Sequence, residues 1–232
     1  MRKMTSIPQK LRLPSVCVVC QQYHRNSCAV CQICLGLFSR LTQACRYCAF
    51  PLPDDNFPIC GTCSKIKPHF DAAFIAYRFE EPLRTLLHDY KYNSALFLRK
   101  VLAKLMLDAL PDSGLNSECL IPVPLHSQRL KDRGFNQSAE LCKLLSRHTG
   151  IPYHLNLCRK IRPTEAQMTL NIRKRQKNLT NAFAVEARNY KHITLVDDLL
   201  TTGNTVQQIS KLFKEQGVEH IDVWCCARAV KD

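Results

Sequence analysis

Apolar residues downstream of position 70 follow two rhythms, and each change of rhythm marks an element. Ile193 to Val196 is a short unbroken apolar run, the pattern of a strand buried on both faces of a parallel sheet. Val206, Ile209, Leu212 and Phe213 then recur at helical spacing, with Lys211 and Lys214 in the last turn and Gly217 as the stop. His220 to Arg228, carrying Ile221, Val223 and Trp224, predicts a second core strand. Upstream, Asp71 to Phe79 predicts a strand, and Leu83, Leu86, Leu87 and Tyr90 a helix ending at Lys91. Leu98, Val101, Leu102, Leu105, Met106 and Ala109 share one face of a helix from Leu96 to Leu110. Cys119 to Pro124 predicts a short core strand, Leu125 to Gly134 a long basic loop, and Gln137 to His148 a helix capped by Asn136. Strands alternating with helices define an α/β chain.

The join between the strand at Ile193 and the helix at Val206 carries candidate chemistry. In open α/β sheets ligands sit beyond the carboxyl ends of the strands, where Asp197 and Asp198 fall. Two adjacent carboxylates can each accept a hydrogen bond from one of two neighbouring sugar hydroxyls. Thr201, Thr202, Gly203, Asn204 and Thr205 offer hydroxyls and free backbone N–H groups at a helix start, a cradle for phosphate. A ribose 5-phosphate presents the matching pattern, a diol at one end and a phosphate at the other. The plain alternative is a β–α turn whose side chains only cap the helix. The strand and the acidic pair, in register with the loop, favour the ligand reading. This join resembles the ribose-phosphate signature of type I phosphoribosyltransferases, enzymes that bind phosphoribosyl pyrophosphate (PRPP). The resemblance implies a mainly parallel sheet flanked by helices, with Asp197 and Asp198 on the ribose hydroxyls and Thr201 to Thr205 on the 5′-phosphate.

The first third of the chain is organised by cysteine. Of 14 cysteines, eight form C-x2-C pairs: Cys17/Cys20, Cys31/Cys34, Cys45/Cys48 and Cys60/Cys63. A tight turn brings both sulfurs of such a pair to one side, and two turns complete a tetrahedral four-thiolate zinc site. Two ions are expected, and sequential pairing is the simplest arrangement, though which pairs share an ion stays open. Cys28 adds a further C-x2-C step with Cys31, but the proline-flanked fourth cysteine of a ferredoxin run is missing. Disulfides need an oxidising compartment, whereas Met1 to Val16 carries Arg2, Lys3, Lys10 and Arg12 with no apolar signal core. No stretch approaches the ~18 apolar residues of a membrane span, so a cytoplasmic protein without membrane insertion is expected. Cys119, Cys142, Cys158, Cys225 and Cys226 sit in apolar segments and are expected in the core. The organisation is therefore a basic leader over 1–16, a double zinc ribbon over 17–69 and an α/β domain over 70–232.

Charge changes the picture of the partner. The chain of 232 residues carries a formal net charge of +14, which favours a polyanion, nucleic acid first. Basic residues cluster at Arg129 to Arg133, Arg159 to Arg162 and Arg173 to Lys177. Arg129 and Arg133 suit a pyrophosphate, since guanidinium forks match paired oxygens. Surface ion pairs with Asp132 or Glu140 are the alternative. The long polar segment from Arg162 to Asn178 suits a lid whose Arg173 and Arg175 oppose the charge of a leaving pyrophosphate, or equally a surface helix through Met168 and Ile172.

Together, the C-x2-C pairs, Arg-Gly-Phe-Asn-Gln (133–137), Gln167, Arg173, Asn178, Asn181-Ala-Phe183 and Val196-Asp-Asp to Thr205 resemble ComF proteins from Cys17 to Arg228. That family belongs to the phosphoribosyltransferase superfamily and is associated with import of single-stranded DNA in natural transformation. The resemblance implies a PRPP-binding protein, with Mg2+ accompanying PRPP, acting on single-stranded DNA directly or through DNA-uptake proteins. Asp197, Asp198, Arg173 and Arg175 would be its catalytic residues if transfer occurs. Two rivals remain: an active phosphoribosyltransferase acting on a nitrogen acceptor, and a zinc-ribbon nucleic-acid adaptor with a vestigial transferase fold. The intact Asp197, Asp198 and Thr201 to Thr205 speak against the last.

Overall fold

A computed structural model of the chain describes residues 14–25, 28–54, 56–93, 95–162 and 182–230. Residues 1–13 of the leader and residues 163–181, which take in the predicted lid beyond Arg162 and with it Arg173 and Arg175, lie outside the described residues.

The cysteine-rich region is held by turns rather than by long elements. It contains β1 (Ser15–Val16), β2 (Tyr23–His24), α1 (Gln32–Leu35) and α2 (Gly61–Lys65). Next come β3 (Ala72–Phe74) and β4 (Tyr77–Arg78), where the sequence predicts one strand from Asp71 to Phe79. The break at Ile75 and Ala76 has a non-local cause. The Ala76 carbonyl accepts from the Leu41 amide at 2.8 Å, the Ser39 carbonyl accepts from the Arg78 amide at 2.8 Å, and Arg40 bridges Tyr77 antiparallel. The cysteine-rich segment thus covers a sheet edge that would otherwise present unpaired backbone groups.

The helix α3 (Leu83–Tyr92) matches its predicted apolar face. The predicted helix over Leu96–Leu110 begins as a 3-10 turn, Leu96–Leu98, and continues as α4 (Arg99–Leu107). After β5 (Cys119–Pro122), the expected basic loop is a short helix, α5 (Ser127–Arg133), and this corrects the sequence reading. The His126 side chain caps its start, and Gly134 at φ 79° ends it in the left-handed region that glycine favours. Asn136 caps α6 (Gln137–Thr149) as predicted, its Oδ1 accepting from the Ser138 and Ala139 amides. An antiparallel pair, β6 (Cys158–Lys160) and β7 (Phe183–Val185), precedes β8 (His192–Leu200), α7 (Asn204–Glu215) and β9 (His220–Arg228).

The central sheet runs β3–β9–β8–β5, all parallel, with β4 also on β9. Its two faces are packed differently. One face, through Leu120, Val196 and Trp224, meets α3, α4 and α6, and that core continues into Cys17, Val30, Cys34 and Phe38 of the first cysteine cluster. The other face, through Ile121, Ile193, Leu195, Ile221 and Val223, meets α7, Phe183 and Ala49. Cys119, Cys142, Cys158, Cys225 and Cys226 are all buried in these cores, as expected. A mainly parallel sheet flanked by helices, joined to two four-cysteine clusters, is the architecture.

Candidate functional site

The site is built where β5 ends and β8 does not. The last β5–β8 pair is Pro122 with Val196, and the Val123 amide still donates to the Val196 carbonyl at 2.9 Å. On its other side β8 keeps pairing with β9 to Leu200 and Arg228. Asp197 and Asp198 therefore lie within the strand, three and two positions before its end, not beyond it as the sequence suggests. Leu199 and Leu200 supply the apolar surface that carries the strand on. The carboxylates still overlook the terminus of β5, where the chain turns into α5 and α6.

Two helices converge on the acidic pair. Asp197 Oδ1 accepts from Ser138 Oγ at 2.8 Å and from the Asp198 amide at 2.9 Å. The Lys91 ammonium at the end of α3 lies 3.0 Å from Asp198 Oδ2. Asp198 is 5% exposed, so that counter-charge acts with little screening by water. Burial first and the Asp198 charge second push the Asp197 carboxyl up to about 7. Burial alone would lower Lys91; the charges of Asp198 and Asp197 outweigh it and hold the ammonium above the usual lysine range. Tyr90, beside Lys91, is fully buried and donates from its hydroxyl to the Gln137 carbonyl at 3.0 Å, locking α3 to the start of α6.

Neither Lys91 nor Ser138 is evident as a site residue from sequence alone. A signal for Lys91 exists: it continues the Leu83–Leu87 row at four-residue spacing, where an apolar side chain is expected. Ser138 carries no such mark.

In front of the pair, Thr201 to Thr205 runs into α7. Gly203 occupies the cap position at φ 76°, with no side-chain cap on the helix start. First-turn amides without a side-chain acceptor are the groups that a phosphate satisfies. Arg228 fixes where this loop begins. Its guanidinium donates to the Leu200 carbonyl at 3.2 Å and to the Thr201 and Ala229 carbonyls, while Nε reaches the Cys48 carbonyl at 2.9 Å. One buried arginine thus ties the second cysteine cluster to the loop, a link invisible in sequence because its partners are backbone oxygens.

Arg129 and Arg133 both lie on α5. Neither makes the ion pair with Asp132 or Glu140 that sequence allows: Glu140 takes Arg99 and Lys143, and Asp132 accepts from Gln128. The Arg133 guanidinium stacks over Tyr92 at 5.1 Å from the ring centroid. Burial, with Arg129 nearby, holds the Lys160 ammonium down at about 8, so the clusters at 129–133 and 159–162 approach one another.

The eight paired cysteines form two groups, Cys17, Cys20, Cys31, Cys34 and Cys45, Cys48, Cys60, Cys63, with all sulfurs of a group within 4.8 Å. This is the sequential pairing. The Cys20–Cys31 and Cys48–Cys60 sulfurs are 3.9 and 3.7 Å apart. A tetrahedron of sulfurs ~2.3 Å from zinc has edges of about 3.8 Å, so the donor sets fit that ion. Burial opposes the Cys17 thiolate, but amides including those of Cys20 and Cys31 outweigh it and bring the thiol to about 6. Burial and neighbouring sulfurs push Cys34 and Cys63 up. A dication removes that conflict, so each group can hold one zinc ion. Cys28 stands apart, its thiol donating to the Val30 carbonyl at 3.3 Å.

Fold and site together define an α/β protein with a parallel sheet, an acidic pair at the sheet's carboxyl end and two zinc-ribbon-type clusters. The chain is 37% identical over 179 residues to Competence protein F of Haemophilus influenzae, a match spanning 73% of this chain and 78% of the relative. It is 31% identical over 234 residues to DNA utilization protein YhgH of Escherichia coli K12, spanning 95% of this chain and all of that protein. Competence protein ComFC of Streptococcus pneumoniae matches at 27% over 153 residues, 66% of each chain. No protein-family model matches the chain. The chain belongs to the ComF family of competence proteins. No helix among the described residues is long and apolar enough to cross a membrane.

The raised Asp197 carboxyl sets a pH signature. Unfolded, this group titrates near ~3.9, so between about 4 and about 7 the native state binds more protons. Its contribution to stability therefore falls as pH rises through that window. Asp197→Asn keeps an oxygen for Ser138 and removes the fall. Thermal midpoints of the two proteins should diverge with rising pH, the variant being the more stable above about 7; parallel curves would contradict the assignment.

Proposed function

We propose that this chain is a cytoplasmic ComF protein that binds PRPP, or a related ribose phosphate, with Mg2+, and acts in the uptake of single-stranded DNA during natural transformation. The supporting observation is the acidic pair on β8, Asp198 buried and Asp197 partly so, followed by a short loop and a helix start, that of α7, with no side-chain cap. In this reading the fold is of the type I phosphoribosyltransferase kind. Asp197 and Asp198 take the ribose diol, and the amides and hydroxyls of Thr201 to Thr205 take the 5′-phosphate. Lys91 and Ser138 hold the carboxylates in place until the diol arrives. Arg129 and Arg133 attract the pyrophosphate, and Mg2+ would neutralise part of its charge. The names of the relatives, Competence protein F and DNA utilization protein, support the DNA-related half.

An active transferase is a second reading, supported by the acidic pair at the place where the sugar would lie. Breaking the bond between the anomeric carbon and pyrophosphate builds positive charge on the sugar, and the acidic pair would lie close to it.

The two cysteine clusters are proposed to carry two structural zinc ions. Purified protein should contain close to two zinc per chain by mass spectrometry and show no iron-type absorbance. Cys45→Ser should lose one; a single ion in the wild type, or an iron cluster, would overturn the two-site assignment.

Calorimetric titration with PRPP and Mg2+ tests the ribose site. Charged hydrogen bonds are worth ~1.5–3 kcal/mol each, so Asp197→Asn with Asp198→Asn should weaken binding at least roughly tenfold, with zinc content unchanged. Unaltered affinity would remove the assignment.

Contact with single-stranded DNA is proposed through Arg129 and Arg133, and on sequence grounds Arg173 and Arg175. Affinity should be indifferent to sequence and fall with salt, with a logarithmic slope of roughly −0.7 per phosphate contact. Changing Arg173 and Arg175 to alanine should reduce both affinity and slope. Binding that ignores salt, or survives the double change, would overturn this model of direct phosphate contact.

A further inference from the structure

At the opposite end of β8 and β9 from the acidic pair lies a second cluster of metal-ligating side chains. His192 and His220 are paired across the first position of the two strands, and Asp222 follows two residues along β9. Asp222 is buried at 3% exposure. His192 Nε2 lies 2.7 Å from its Oδ2, and His220 Nε2 lies 3.1 Å from its Oδ1. The imidazole centroids are 4.3 Å apart, and one donor atom from each residue falls within 4.8 Å of the others.

We infer that His192, His220 and Asp222 form a third metal site, one that takes a first-row divalent transition ion such as zinc or cobalt. Charge balance is the first argument. The neighbouring charges are already matched: Lys214 sits on Asp71 at 2.7 Å, Lys191 on Glu219 at 2.8 Å, and Glu118 accepts from the amides of Lys191 and His192. Among the described residues no lysine or arginine forms an ion pair with Asp222, whose contacts are the two imidazoles. A cation held between three donors compensates that buried carboxylate.

Geometry is the second argument. Two donors ~2.1 Å from one ion lie roughly 3.0–3.4 Å apart, close to the 2.7 and 3.1 Å between the imidazole nitrogens and Asp222, with all three donors within 4.8 Å. Third, the other nitrogen of His220 faces the Asp71 carboxylate at 3.9 Å. Asp71 is itself fixed by Lys214 and by the Ile221 amide at 3.0 Å. A carboxylate behind a ligating imidazole favours the tautomer that leaves Nε2 free for metal, and Asp71 needs to close from 3.9 Å to hydrogen-bond distance to do so. Two imidazoles with one carboxylate suit zinc, cobalt or nickel rather than magnesium or calcium, which prefer oxygen donors.

Six residues of strand separate His192 from Asp198, roughly 20 Å at ~3.3 Å per residue. The ion is therefore a clasp between the amino ends of β8 and β9, remote from the proposed ribose cleft.

The test uses the full-length protein dialysed to two zinc per chain, which leaves the four-thiolate clusters loaded and this weaker three-donor site empty, and then titrated with Co2+. The inference expects one further equivalent, with weak ligand-field absorption, no intense thiolate-to-cobalt band and no zinc release. Paramagnetic broadening should affect the His192 and His220 imidazole resonances and spare the other histidines. His220→Gln, at a half-exposed position, should weaken cobalt binding at least tenfold with zinc content unchanged. The broadening in wild-type protein decides the matter even if a variant misfolds. Absence of a further equivalent, cobalt entry only with zinc release, or equal binding in the variant would overturn the site.

Discussion

Two adjacent carboxylates, Asp198 buried and Asp197 partly so, are held inside a strand, and much of the surrounding structure answers that electrostatic problem. Neither charge is well solvated, so each needs a partner delivered from another element. Lys91 comes from the end of α3 to Asp198, and Ser138 from the first turn of α6 to Asp197. The Tyr90 hydroxyl binds those two elements together at the Gln137 carbonyl. Even so, the Asp197 carboxyl stays high, which marks an acidic pair that its own protein satisfies only in part. A site left short of hydrogen-bond donors is prepared to accept them from a ligand.

The cysteine clusters belong to the same construction. The first shares a core with α3 and α4, and the segment between the clusters covers the β3–β4 edge. The second reaches the loop through Arg228, which bridges the Cys48 and Thr201 carbonyls. Metal bound there would stiffen the backbone that positions Thr201 to Thr205, coupling zinc content to the shape of the proposed phosphate cradle.

Much of this was legible in the sequence because it is local. The β8–loop–α7 unit, the Asn136 cap, the five core cysteines and the C-x2-C pairs all depend on near neighbours in the chain. What the sequence hid is non-local or weakly patterned. α5 has one apolar residue, Leu130, in its seven positions, so no periodicity announces it; its cap and its glycine stop define it. The break between β3 and β4 answers hydrogen bonds from Ser39 and Leu41, and the partners of Arg228 are carbonyls without side-chain identity. Lys91 was readable only as an anomaly on an apolar helix face.

The acidic pair and the loop before α7 are proposed to form one ribose-phosphate site. A crystal structure of the protein with ribose 5-phosphate bound tests it most directly. The two ring hydroxyls should lie within hydrogen-bond distance of Asp197 and Asp198, with the Lys91 ammonium drawn aside and the phosphate on the amides of Gly203 to Thr205. A ligand seated elsewhere, or a phosphate away from the start of α7 while Lys91 still covers Asp198, would contradict it.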